Sequence, residues 1–195
     1  MKNTKTVFKR GIASTLTVAV MLSTFFAFMP KARAATYIVD AAGGGDYTTI
    51  SAAIADAAVL PGDIINVSAG TYNENIVVGK AVTINGANKA TTIITSADVT
   101  KPVMEISVPG VSVDGFTLNG NDGTSVPANT TGNKGIYVHG ANGVVLNNIL
   151  VQGISQYDNS WGLFIGNTSG GTISNFDVKN VSAKVEANAI LLNST

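Results

Sequence analysis

Gly135-Ile136-Tyr137-Val138, Gly162-Leu163-Phe164-Ile165 and Ala189-Ile190-Leu191-Leu192 repeat one pattern: a small residue, an aliphatic, a variable position, an aliphatic. Successive copies begin 27 residues apart, and no other feature constrains the fold as much. A second short run keeps the same phase at residues 144–148 and 171–175, and a third follows at Ile149-Leu150-Val151 and Phe176-Asp177-Val178. An earlier copy reads Met104-Glu105-Ile106, then residues 111–115, then Phe116-Thr117-Leu118, and the polar stretch 119–133 separates it from the next. Strands this short, with alternating aliphatics broken by Gly, Asn, Asp and Ser, cannot close a core singly. Stacked at about 4.8 Å, each pairs with its equivalent one repeat later and the inward side chains form one continuous core. The period therefore predicts an all-β parallel solenoid of three sheets, with Ile136, Val138, Leu146, Ile149 and Val151 inside. Asn148 and Asn175 share one turn position, with Gly115 in that slot earlier; Asn tolerates the left-handed backbone there and its amide can bond to the Asn one coil away. Sandwich strands, the competing all-β arrangement, have no need of a constant phase.

Ahead of the repeats, Tyr37-Ile38-Val39 reads as a strand. Ile50, Ala53, Ile54, Ala57 and Ala58 then fall on one helical face. Thr48 or Thr49 is the expected N-cap and residues 60–63 the stop. A lone helix before a solenoid is expected to cap its open end. At the other end a fresh coil opens at Ala189 and the sequence reaches Thr195 with no polar closing segment, so continuation beyond Thr195 is expected.

Charge is distributed unevenly. Lys2, Lys5, Lys9, Arg10, Lys31 and Arg33 precede every acidic residue, Asp40 being the first. Residues 2–10 form a basic segment, 11–29 are uncharged and mostly apolar, and Ala32-Arg33-Ala34 is a small-x-small site, so residues 1–34 read as an export signal cleaved near Ala34. A membrane anchor is the alternative, because the apolar stretch approaches the roughly 20 residues needed to span a bilayer. Beyond it the chain has no arginine, scattered lysines and a net charge of about −6, which argues against nucleic acid as a partner. The lack of cysteine excludes thiol redox, zinc-finger and disulfide-scaffold readings. No later stretch is apolar for long enough to span a membrane. The organisation expected is thus a signal over 1–34, a strand and capping helix over 35–62, and coils over 63–195.

Residues 46–54 (DYTTISAAI), 65–76 (INVSAGTYNENI), 82–86 (VTING) and Thr91-Thr92-Ile93-Ile94 together resemble the opening of right-handed parallel β-helix proteins of the pectin lyase-like superfamily. Gly70, Tyr72 and Glu74 fit the Gly-x-Tyr-x-Glu signature of pectinesterases, a stretch shared with β-helices that are not esterases, and a structural role is the reading preferred for it. The resemblance implies a secreted or cell-surface protein acting on extracellular polysaccharide, with acidic pectin-like polymers as substrate. The later pectinesterase motifs are missing: there is no Gln-Asp-Thr, no Asp-Phe-Ile-Phe-Gly and no arginine after Arg33. Related lyases use an arginine or lysine base, often with calcium held by clustered acids; Lys134, Lys179 and Lys184 are the late cations, and none adjoins an acidic cluster in sequence. The adjacent aspartates of polygalacturonase-like hydrolases are absent as well. No cofactor is evident, and calcium is implied by the resemblance alone.

If Ile136 and Val138 point inward, Tyr137 and His139 point outward, and the period aligns Glu105, Tyr137, Phe164 and Leu191 in one outer column. In the resembled family this face lines the polysaccharide groove. Trp161, with Tyr157 and Asp158 in a loop over 153–160, is expected to overhang it. The binding candidates are therefore Glu105, Tyr137, His139, Tyr157, Asp158, Trp161 and Phe164, and no catalytic or metal-ligating residue is identified. The alternative is that the aromatics pack on one another beneath the loop. His139 is the sole histidine, so no zinc triad or serine–histidine–aspartate system can be assembled, and an exposed turn residue is the bland reading. Residues 119–124 lack the acid spacing of a calcium loop. Sequons at Asn66, Asn129, Asn167, Asn180 and Asn193 matter only in a glycosylating host. Two functions remain: binding and degradation of a pectin-like polyuronate, by lyase chemistry where catalytic, or a non-catalytic surface or adhesion module. A pectinesterase fragment is a third.

Overall fold

The computed structural model describes residues 33–120, 134–156, 159–183 and 185–193. Apart from its last two residues the expected signal lies outside these, as do most of the polar stretch 119–133, the Asn129 sequon, Tyr157, Asp158 and Lys184. Thirteen strands and one helix make up the described chain. β1 (Thr36–Val39), β2 (Ile64–Val67), β5 (Thr83–Gly86) and the first parts of β8 (Ser112–Asn119), β10 (Val145–Gln156) and β12 (Thr172–Ala183) stack in parallel as one face. β3 (Gly70–Asn73), β6 (Thr92–Thr95) and the later parts of β8, β10 and β12 form a second. β4 (Ile76–Val78), β7 (Met104–Ile106), β9 (Lys134–His139), β11 (Asn159–Gly166) and β13 (Glu186–Asn193) form the third. This is a parallel β-helix.

Its three faces belong to two hydrogen-bonded sheets, because the ladder runs unbroken around the first corner. Gly115 (φ +81°), Asn148 (φ +52°) and Asn175 (φ +48°) occupy that corner, and one left-handed residue bends the strand while its neighbours keep their partners. The cross-coil amide bond differs in detail from expectation. Asn175 donates to Oδ1 of Asn147 at 3.0 Å rather than to Asn148. Between these corners Ile136, Val138, Leu146, Ile149 and Val151 are all sealed in the core.

Helix α1 (Ile50–Ala55) buries Ile50, Ala53 and Ile54 and packs against β1 and β4. Thr49 is its N-cap, accepting from the Ala52 N–H at 3.2 Å. It stops short of Ala58 because the Asp56 carboxylate takes the Ala58 N–H at 2.8 Å and turns the backbone out of the helix. Among the described residues, no helix is long and apolar enough to cross a membrane. At the β12/β13 end the core side chains emerge: Ile190 is 45% and Leu192 67% exposed. A cleft of about 430 Å³ opens there between Val138, Leu146, Ile165, Ile173 and Leu192, away from the face bearing Tyr137.

Candidate functional site

The third face brings most of the candidate residues together. Register aligns Val77, Glu105, Tyr137, Phe164 and Leu191 across β4, β7, β9, β11 and β13, with Glu105, Tyr137 and Phe164 half-buried. Simple alternation would send Lys134 and Trp161, paired with each other across β9 and β11, into the core with Ile136 and Leu163. Instead the ladder skips Gly135 and Gly162, the small residues that open each repeat. A Cβ on Gly135 would strike the Val151 side chain and the Gly162 carbonyl, and one on Gly162 would strike Val178 and the Ala189 carbonyl. Each glycine thus faces the core alongside the aliphatic after it. The alternation shifts by one, as in a bulge, and Lys134 and Trp161 emerge beside Tyr137 and Phe164.

The result is a cation set among aromatic rings. The Lys134 ammonium lies 4.7 Å from the Tyr137 ring centroid, 5.1 Å from Trp161 and 5.8 Å from Phe164. Phe164 meets Tyr137 edge-on at 5.3 Å and Trp161 edge-on at 5.6 Å. Lys134 is only 9% exposed, and this burial pushes its pKa below the usual lysine value against the opposing pull of Glu105. Each desolvated cation–π contact is worth about 0.5–2 kcal/mol, which offsets part of that penalty. His139 Nε2 is 2.8 Å from Glu105 Oε1, and its ring stacks on Tyr137 with centroids 4.5 Å apart and planes 24° apart. His139 and Glu105 are about a third exposed, at 37% and 32%. At the edge of the cluster the indole Nε1 of Trp161 and Oδ1 of Asn159 are buried with no hydrogen-bond partner among the described residues. An unmet group of that kind costs about 1–3 kcal/mol, which a hydroxyl or water would recover.

Five of the seven candidate residues therefore stand together: Glu105, Tyr137, His139, Trp161 and Phe164. Tyr157 and Asp158 lie outside the described residues. The loop expected over 153–160 is mostly strand, since β10 runs to Gln156 and β11 begins at Asn159. Ile154, wholly buried, anchors that corner and Gly153 (φ +66°) turns it. Trp161 is consequently a strand residue packed on Phe164. Acidic neighbours in sequence do not reveal Lys134 as a site residue, because its neighbours are Tyr137 on its own strand and the aromatics Trp161 and Phe164 of the next coil. The recurring small residue just after Lys134 and Trp161 was the available signal.

Gly70, Tyr72 and Glu74 stand apart from this face. The Tyr72 hydroxyl donates to the Ser68 carbonyl at 2.9 Å and lies 3.4 Å from that of Val39, and burial pushes its pKa up. The Glu74 carboxylate accepts the first two N–H groups of α1, from Ile50 at 2.9 Å and Ser51 at 2.8 Å. The signature ties β3 to the helix start, where otherwise unpaired N–H groups favour a carboxylate. Among the described residues, no group of three or more His, Asp or Glu side chains is placed to hold a metal.

No family model matches the chain. It is 31% identical over 106 residues to a cell surface glycoprotein of Methanothermus fervidus, a match spanning 54% of this chain and 16% of that protein. Among solved structures it resembles a pectin methylesterase in complex with a hexasaccharide, at TM-score 0.53 and 15% identity over 76% of this chain. It likewise resembles the pectin methylesterase PemA of Erwinia chrysanthemi, at TM-score 0.52 and 15% identity over the same share. The chain spans about half the length of these enzymes, 56% of each. The fold reached from the 27-residue period is therefore the parallel β-helix that these pectin methylesterases also have.

Proposed function

We propose that this chain is an exported β-helix module, with residues 1–34 as its signal, whose third face binds an extracellular polysaccharide of the pectin-like polyuronate class. The observation that carries the reading is the half-buried cluster of Tyr137, Trp161 and Phe164 around Lys134, with the Trp161 indole N–H at its edge and without a partner among the described residues. Sugar rings offer apolar C–H faces to aromatic side chains and hydroxyls to orphaned donors, and a uronate adds a carboxylate for a lysine. Support also comes from the shared fold of a pectin methylesterase whose structure holds a hexasaccharide. Where the polymer is cleaved, lyase-type elimination is the form we propose.

The second reading, a non-catalytic cell-surface module, is favoured by the similarity to the Methanothermus fervidus cell surface glycoprotein. One experiment addresses both. Trp161 is the sole tryptophan, so its fluorescence reports directly on the face. Titration with oligogalacturonate should change that emission, Lys134→Met should weaken binding to it more than to a neutral glucan oligomer, and unsaturated uronate products would mark a lyase. Binding without product supports the surface module. An emission unaffected by either sugar would refute the polysaccharide reading.

A further inference from the structure

We propose that Glu105 and His139 form a latch that keeps the stacking surface of Tyr137 occupied by the protein's own imidazole, so that ligand must displace His139 in order to bind. The inference rests on the polysaccharide reading and specifies its regulation. Three observations converge on it. The His139 ring lies on Tyr137 at 4.5 Å and 24°, the near-parallel offset a sugar ring would itself adopt. The Nε2 edge of the same ring meets Glu105 Oε1 at 2.8 Å, one coil away, so residues of two strands fix its position. His139 is the last residue of β9, followed by Gly140 in left-handed backbone (φ +61°), and is about a third exposed, so its side chain can rotate outward without breaking the ladder.

Of the charged neighbours, Glu105 alone favours this placement. Lys134, the nearby cation, approaches the Tyr137 ring at 4.7 Å, and its charge would tend to push an imidazolium away rather than draw it in. What holds the imidazole is the Glu105 contact together with the stacking. A protein whose binding-competent form is a minor population binds more weakly by that fraction, and removing the competing contact restores the affinity.

The test is hexagalacturonate binding to the full chain, followed by calorimetry and Trp161 fluorescence, for the unaltered protein, His139→Ala, Glu105→Ala and the double variant. Loss of one net hydrogen bond and its stacking predicts about three- to tenfold tighter binding by His139→Ala. Charge alone predicts the reverse, since the substitution removes a group able to carry positive charge towards a polyanion. Glu105→Ala should also tighten binding, and by less when His139 is already absent, because the two residues act as one unit. Should either variant fail to fold, judged by its circular dichroism, the other still decides. Binding by the unaltered chain that is weakened or unchanged in His139→Ala overturns the latch and leaves the polysaccharide reading standing. Absence of binding by every form overturns both.

Discussion

Gly135→Ala tests the strand shift that brings Lys134 and Trp161 to the surface. The added methyl would meet two obstacles, a Val151 methyl in the sealed core and the Gly162 carbonyl. The carbonyl belongs to the backbone of the neighbouring coil, which the β9–β11 pairs on either side of Gly162 hold in place. Overpacking of this kind costs about 1–3 kcal/mol, equivalent for a domain of this size to roughly 2–12 °C in Tm. The corresponding residue one coil on from Gly162 is Ala189, which is exposed and meets no such crowding. Urea unfolding with an unchanged m-value would measure the cost. Gly79→Ala is the control, because a Cβ there touches nothing within 4 Å. Val151→Ala alone should cost about 2 kcal/mol through lost burial. Combined with Gly135→Ala it should cost at least about 1 kcal/mol less than the two separately, because the clash is relieved. A Gly135→Ala protein within about 0.5 kcal/mol of the original, or strict additivity in the pair, would refute the reasoning.

Glu74→Gln should lower stability by about 1–2 kcal/mol, since a neutral amide replaces a carboxylate that accepts two N–H groups at the start of α1; thermal unfolding measures it. Asn148→Gly should be neutral to slightly stabilising while Asn148→Ala costs about 1 kcal/mol, because φ is +52° at that corner; denaturant midpoints distinguish the two. The Asp98 carboxyl is held down to about 2 by the hydroxyl and then the N–H of Thr100, with Lys101 adding to the effect. Its native pKa is thus below its unfolded value, so its contribution to stability is complete above about pH 4 and is lost as pH falls towards 2. NMR titration should give a midpoint near 2 that rises in Thr100→Val.

How much of this was legible beforehand differs from one residue to the next. The register of Tyr137 and Phe164 follows from the period, and that of Glu105 from the matching Met104-Glu105-Ile106 pattern despite the stretched spacing, because parallel pairing can only match equivalent positions of successive coils. Thr49 as N-cap was legible from local chemistry, and the early stop of α1 was not, since a competing carboxylate at Asp56 outweighed the alanine periodicity. Glu74 carried a recognisable signature, yet its partners lie more than 20 residues away in sequence and only folding brings them together.

The sequence by itself determined that short strands must stack in parallel at a fixed period, because none could bury its aliphatics alone. It also determined which of them face inward and where left-handed residues turn the corners. Tertiary structure decided that three faces form two sheets and that a small residue opening each repeat shifts the alternation by one. That shift sets Lys134 among three rings, and the packing of neighbouring coils brings Glu105 within 2.8 Å of His139. These outcomes depend on contacts between coils, where a carbonyl or methyl from residues a full repeat away fixes how far each backbone can approach, and no local pattern encodes that distance.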